Sequence, residues 1–249
     1  MNDDGRDYVQ SLERGFAVLQ SFGMGKAQMT LAEVAKRTNL SRGTARRFLL
    51  TLTKLGHLAT DGRVFWLRPK VLSLGSSFLS SLPWWRMAQP IIEEASRSTG
   101  QACNISVLDG SMITFVACIA SGQTISPHLS LGSRLPAYPT ASGRVLLATL
   151  SEAELNDYFA SVELETLTRK TITDPERLRA ILDDVRVQGH SYCDEELQEG
   201  LRAIAVPLID RSGRVLAAIS VYANAPEPQF HSQFLQVLKR SQMAIQRAT

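Results

Sequence analysis

LSRGTARRFLLTLTKLGHL, residues 40–58, decides the fold of the first part of this 249-residue chain. Read at about 100° per residue, Ala45, Phe48, Leu49, Leu52 and Leu55 fall on one face, the core face of an amphipathic helix. Gly43, Arg46, Arg47 and Lys54 fall around the opposite side, with Arg42 on the flank and Ser41 placed to cap the first turn. A soluble helix does not need that much positive charge on its exposed side. The first two turns are basic, slim at Gly43 and free of acidic residues, as insertion into a DNA major groove requires. Arginine pairs bidentately with guanine or holds phosphate, and a small residue lets the backbone approach the bases. The candidate DNA contacts on this helix are Ser41, Arg42, Gly43, Thr44, Arg46, Arg47 and Lys54. Leu50, which the same wheel leaves exposed, touches a thymine methyl or a partner chain.

The flanking sequence supports this reading. Thr30-Leu31-Ala32-Glu33 is a capping box opening a short helix buried through Leu31, Val34 and Ala35. That helix stops at Thr38-Asn39-Leu40, where Asn39 tolerates a left-handed backbone. Two short helices joined by such a turn make a helix-turn-helix. Before them, Leu12, Phe16 and Leu19 predict a helix over 10–22, with GMGKAQ (23–28) as a loop. After them, Asp61-Gly62 between the runs 57–60 and 63–66 is a hairpin signal. Arg63, at its tip, is placed to reach phosphate or minor groove. The whole is a winged helix-turn-helix that binds double-stranded DNA.

Residues 70–81 read as a connecting helix that Pro83 stops. The expected organisation is a DNA-binding domain at 1–69, a linker helix at 70–83 and a second domain at 84–249, with a helix at 91–98 ending at Gly100. Strands are expected at 102–108, 112–117, 201–209 and 215–222, with turns at Asp109-Gly110 and Asp210-Arg211-Ser212-Gly213. Helices are expected at 141–149, 152–159, 175–188 (capped by Thr173 or Asp174) and 229–245. This is an α+β domain with a mainly antiparallel sheet and helices packed on it. One face of its strands is small and partly polar: Ala102, Asn104 and Ser106; Ala203 and Ala205; Leu216, Ala218, Ser220 and Tyr222. Such a face seats a closely packed helix or borders a small-molecule cavity. Thr140 leads into ASGRVLLATL, a helix start that either caps a core helix or, with Ser142, seats an anion.

Bulk composition narrows the remaining classes. Hydrophobic residues make up 44% and charged residues 20%, enough for a packed core throughout, and a net charge of +3 allows a basic patch but not a uniformly basic protein. The first residues, MNDDGRDYVQ, are polar and acidic, so no signal peptide is read, and no apolar run reaches the roughly 20 residues of a membrane span. Three scattered cysteines make no disulfide framework, and a soluble, cytoplasmic protein is expected. His190 and Cys193 have H-x-x-C spacing without a second ligand pair nearby, so no metal or other cofactor is expected. A metal sensor using Cys103, Cys118, His190 and Cys193 is the alternative. An enzyme is not expected: no G-x-S-x-G elbow, P-loop, H-E-x-x-H or dinucleotide fingerprint is present, and Ser142, His190 and Asp194 have triad chemistry without an elbow around the serine.

Four stretches carry a family resemblance: YVQSLERGFAVLQSF (8–22), TLAEVAKRTNLSRGTARRFLLTLTKLGHL (30–58), GSRLPAYPTASGRVLLA (132–148) and CDEELQEGLRAIAVPLIDRSGRVLAAISVYA (193–223). They resemble the IclR-type transcriptional regulators, and the wording is most similar to the PcaR/PcaU/PobR branch that regulates aromatic-acid catabolism. The resemblance implies a winged helix-turn-helix, a linker helix and a GAF-like effector domain, with homodimers formed through the DNA-binding domains and often paired into tetramers. It places effector contacts at the helix start (Ala141 and Ser142, next to the Thr140 hydroxyl already read there), around Asp194, and at Ala203, Ser220 and Tyr222. Ala203 stands where relatives often carry Cys, and Tyr222 where some carry Ser, and both alter the pocket. The branch carries an arginine ahead of GSRLP. Here SGQTISPHLSLG (121–132) has none, which points away from a protocatechuate-like effector.

Overall fold

The computed structural model describes residues 8–23, 25–120, 130–223 and 230–248, and the chain divides between Phe78 and Leu79 into two compact units. In the first unit, helix α1 (Gln10–Gln20) is followed by strand β1 (Gln28–Thr30), helix α2 (Leu31–Arg37), helix α3 (Arg42–Lys54) and strands β2 (Leu58–Thr60) and β3 (Val64–Leu67). The Thr30 box forms as expected: Glu33 N donates to Thr30 Oγ1 at 3.3 Å, and Thr30 N to Glu33 Oε2 at 2.8 Å. Caps of this kind contribute about 1 kcal/mol each. Asn39 takes φ 52°, and Ser41 Oγ accepts Thr44 N at 3.2 Å to start α3. At the hairpin tip Gly62 takes φ 94°, and Asp61 Oδ1 accepts the Arg63 and Val64 amides at 2.8 and 2.9 Å. Those amides, Val64 foremost, hold the Asp61 carboxyl below the usual carboxylate range.

The core of this unit is Val18, Phe22, Met29, Val34, Leu49, Leu52, Leu58 and Phe65. Two expectations change. The 23–28 stretch is not all loop, because Gln28–Thr30 pairs antiparallel with β3 and gives a three-stranded sheet of order β1-β3-β2. Leu55, assigned to the core face, is 54% exposed, because it lines an open groove beside α1 and not the closed core. A short 3-10 turn (Pro69–Val71) leads into helix α4 (Leu72–Ser81).

In the second unit, helix α5 (Trp85–Thr99) precedes strands β4 (Ala102–Asp109), β5 (Met112–Ile119) and β6 (Arg134–Pro136). Helices α6 (Ala141–Leu147), α7 (Glu152–Ser161) and α8 (Pro175–Gln188) follow, then strands β7 (Ser191–Asp194), β8 (Arg202–Ile209) and β9 (Val215–Ala223), and helix α9 (Phe230–Ala248). The six strands form one antiparallel sheet of order β6-β5-β4-β9-β8-β7, so the α+β class stands. One face carries Cys103, Ile105, Ile204, Val206, Ile219 and Val221 against α5 and α9. The other carries Phe115, Ala203, Ala205, Ala218 and Tyr222 against α6, α7 and α8.

Helix α5 begins six residues before the expected start at 91 and continues through Pro90, which lies on its exposed side, where the carbonyl the ring leaves unbonded need not be buried. Asp174 is the α8 cap, accepting Glu176 N and Arg177 N at 2.8 and 3.0 Å. Leu216 was placed with Ala218 but packs in the α5–α9 core, because the β8–β9 register shifts beside it and a bulge turns it to the other face. Among the described residues no helix is long and apolar enough to cross a membrane.

Candidate DNA-reading face and effector site

The α3 face forms as its spacing predicts. Ala45, Leu49 and Leu52 are buried, while Ser41, Arg42, Gly43, Arg46, Arg47 and Lys54 are exposed and Thr44 is half-buried. Arg63 is exposed at the wing tip. Among the described residues, none of these arginines, nor Lys54, forms an ion pair with a carboxylate. A Cβ added at Gly43 would meet nothing within 4 Å, so the helix is thin where it is most basic. Leu50, 42% exposed, stands on this basic face one turn beyond Arg46.

A second surface lies on the other flank of α3. An open groove of about 770 Å³ is lined by Leu12, Gly15, Phe16 and Leu19 of α1, Thr44, Phe48, Thr51 and Leu55 on the α3 side, and Leu74 of α4. The periodic apolar residues of α1 therefore do not all enter the core: Leu12 is 61% and Phe16 45% exposed. Arg47 and Thr44, counted as DNA contacts, also border this groove, whereas Leu50 does not.

In the second unit, α6 lies directly on the small sheet face, and every one of its residues is buried. Gly143 lets the first turn of α6 pack on the turn that leads into it, since a Cβ there would sit 2.5 Å from the Ala137 Cα. Thr140 caps the helix, accepting Gly143 N at 3.1 Å and donating to Ala137 O at 2.9 Å. Most of the small face is thus a helix seat. A cavity of about 10 Å³, room for one water, remains beside the start of α6, lined by Pro139, Thr140, Cys193, Glu196, Leu197, Leu201, Ala203 and Tyr222. The Tyr222 hydroxyl, on a lining residue, is buried without a hydrogen bond, as are Ser142 Oγ, Asn104 Nδ2 and Ser106 Oγ elsewhere in this unit. The Tyr222 hydroxyl lies near those of Ser220 and Ser142 but is not aligned to bond either, and burial pushes the phenol's pKa up. Ser220 Oγ reaches only Asn104 O, at 3.5 Å.

Of the expected effector contacts, Thr140, Ala203 and Tyr222 line the cavity. Ala141, Ser142 and Ser220 are buried against the sheet or beside it. Asp194 does not line it. Alternation along β7 turns Cys193 inward and Asp194 outward, where its carboxylate meets Lys170 Nζ and Arg202 Nε, both at 2.7 Å. Lys170, then Arg202, hold that carboxyl below its usual range. Burial pushes the Cys193 thiol up to about 12, so it acts as a small apolar wall.

The sequence reading missed an ion pair beside the cavity. Arg144, 2% exposed, donates Nη1 and Nη2 to Glu196 Oε1 and Oε2 at 2.7 and 2.5 Å, and Nε to Tyr138 O at 2.9 Å. Its signal was present: an arginine inside ASGRVLLATL, a helix apolar on every side, has no solvated face to occupy.

The alternatives lose their geometry. Cys103 faces the α5–α9 core, while Cys118 and Cys193 face the other layer, and among the described residues no group of three His, Cys, Asp or Glu could hold a metal ion. Ser142 is fully buried, Asp194 is held by Lys170 and Arg202, and His190 turns Nδ1 to Gln188 O at 3.1 Å, so no triad assembles. Residues 121–129, most of the stretch that lacks the branch arginine, lie outside the described residues.

A reading helix with a wing in one unit, and a helix-covered sheet with a polar-edged cavity in the other, define a ligand-responsive transcriptional regulator. The IclR helix-turn-helix domain matches residues 11–62, and the family described as bacterial transcriptional regulator IclR C-terminal matches residues 76–245. The chain belongs to the IclR family. It is 42% identical over 236 residues to the Pca regulon regulatory protein of Pseudomonas putida, covering 93% of this chain and 81% of that one. The crystal structure of a transcriptional regulator from Rhodococcus sp. RHA1 superposes with a TM-score of 0.84 at 40% identity, covering 96% of this chain and 98% of that one. The inducer-binding domain of a PobR double mutant from Acinetobacter, in complex with 3-hydroxybenzoic acid, gives a TM-score of 0.62 at 30% identity, covering 66% of this chain and 98% of that one.

Proposed function

We propose that this regulator binds a two-fold-related operator as a dimer and answers an aromatic carboxylate. DNA contact falls to Ser41, Arg42, Gly43, Thr44, Arg46, Arg47 and Lys54 of α3, with Arg63 of the wing on the backbone or minor groove. The effector is taken at the α6–sheet cavity by Thr140, Ala141, Ser142, Ala203, Ser220 and Tyr222. One observation carries the DNA assignment: a fan of arginines on a slim helix, none of them neutralised by a carboxylate among the described residues. Leu50 belongs to the same face, away from the groove, and its exposed methyls suit a thymine methyl.

Arg46→Ala weakens operator binding, and a lost bidentate guanine contact costs about 1–3 kcal/mol and relaxes preference at one base pair. Arg63→Ala weakens specific and random DNA alike and flattens the salt dependence. Gel-shift titrations over operator and scrambled duplexes separate the two. Full binding by both variants would remove α3 and the wing from the interface.

The apolar groove on α1, α3 and α4 is assigned to a second copy. One winged domain has too small a footprint for operator specificity, and two-fold DNA half-sites call for a two-fold protein. Phe16→Glu puts a charge in that interface and shifts the chain toward monomer in analytical ultracentrifugation. An unchanged dimer would place the contact elsewhere.

The aromatic carboxylate follows from the family relative in complex with 3-hydroxybenzoic acid and from the unbonded hydroxyl of Tyr222, which lines this cavity. At 100 times its dissociation constant a ligand adds about 2.7 kcal/mol, readable as a thermal shift. Hydroxybenzoates give that shift, and aliphatic amines of equal size do not. A flat response across aromatic carboxylates would overturn the assignment.

A further inference from the structure

Arg144 is a buried cation whose fork is filled by one carboxylate, and the residue that supplies it, Glu196, lines the cavity. Glu196 belongs to the irregular stretch 195–200 between β7 and β8, which turns in through Glu195 at φ 59° and out through Gly200 at φ 78°. The cavity holds about one water, and a benzoate-sized effector needs several times that space. The sheet face and α6 cannot yield it, since every residue of α6 is buried and its first turn is packed on the Ala137 backbone. Of the lining residues outside both, Pro139 and Thr140 belong to the turn tied to the α6 cap, which leaves Glu196, Leu197 and Leu201. Thr171 Oγ1 donates to the Glu196 carbonyl at 2.6 Å, so that backbone is held and the displacement falls to the side chain.

Charge decides where an anion can go. Beside an intact Glu196 carboxylate, an incoming carboxylate meets a like charge in a poorly solvated space. In place of Glu196 it meets the guanidinium, whose fork matches a carboxylate in two parallel hydrogen bonds, and the buried charge stays balanced. We propose that Arg144 is the seat of the effector's carboxylate, occupied in the ligand-free protein by Glu196, which the effector displaces. The inference rests on the aromatic-carboxylate reading given above. It adds a route outward: Glu196 Oε2 also accepts the Ile172 amide at 3.3 Å, so its departure releases a tie to the stretch 168–172.

The test titrates the full chain, Glu196→Gln and the double variant Arg144→Met/Glu196→Leu with benzoate, 3-hydroxybenzoate and the uncharged ring benzamide, by calorimetry. Glu196→Gln weakens the internal competitor and tightens both carboxylates by about tenfold or more, as expected for a charge-assisted contact made available. The double variant keeps an apolar, packed site, checked by its thermal midpoint, and loses both carboxylates by about tenfold or more. Benzamide binds all three proteins equally. Carboxylate affinity in the double variant equal to wild type would make the pair a purely structural one and overturn the proposal, as would a Glu196→Gln protein no tighter than wild type. If Glu196→Gln fails to fold, the double variant decides alone. A wild-type chain that binds neither carboxylate overturns the effector assignment itself, before any variant is compared.

Discussion

Gly143→Ala disrupts the second unit, at a cost of about 3 kcal/mol or more, the upper end of what overpacking a tight interior brings. The added methyl would lie 2.5 Å from the Ala137 Cα and carbonyl carbon, and closer still to its oxygen. These are backbone atoms, and they are tied down. Ala137 N donates to Ser111 O at 3.0 Å, and Ala137 O already accepts Thr140 N and Oγ1 at 3.2 and 2.9 Å. Relief requires lifting α6 off the sheet or breaking its cap. Gly75 supplies the control, being a helical glycine where a Cβ meets nothing within 4 Å. Gly75→Ala should raise stability by up to about 1 kcal/mol through helix propensity. Thermal and urea unfolding of the two variants give opposite signs. A Gly143→Ala protein as stable as wild type would mean that α6 sits further from the Ala137 backbone than the structure places it.

Arg144→Met alone costs about 3–5 kcal/mol, because it leaves the Glu196 carboxylate buried without its counter-charge. It also removes the Nε donor from the Tyr138 carbonyl. Adding Glu196→Leu returns most of that loss, since replacing a buried ion pair by apolar residues of similar volume is often neutral or stabilising by about 1–4 kcal/mol. Urea unfolding of the two singles and the double forms a cycle whose coupling measures the pair. A single variant that costs under about 1 kcal/mol would place the pair in water, in the range of surface ion pairs. The pair is thus a poor device for stability as such, which fits an assignment to ligand binding.

The local elements of the first unit were legible in sequence because their signals act over a few residues. Thr30 and Glu33 cap each other, Asn39 takes the left-handed turn, and Asp61-Gly62 closes a hairpin with bonds to the next two amides. The basic face of α3 was legible for the same reason, since helical angle alone separates Arg46 from Leu49. Period-two alternation likewise placed Ala203, Ser220 and Tyr222 on one sheet face.

Tertiary structure alone decided the rest. Strands β1, β6 and β7 are three or four residues long, and each exists because a longer strand pairs with it, a condition that no local pattern records. Whether the small sheet face is cavity or helix seat depended on α6 lying on it, a contact between elements far apart in the sequence. Leu12, Phe16 and Leu55 have core spacing yet stay exposed, because amphipathicity specifies that a face will be covered and not by which chain. Arg144 and Glu196 stand 52 positions apart. A charge can be buried only where the fold delivers its partner, so their union, and the candidate seat it makes, belongs to the folded chain and not to any stretch of its sequence.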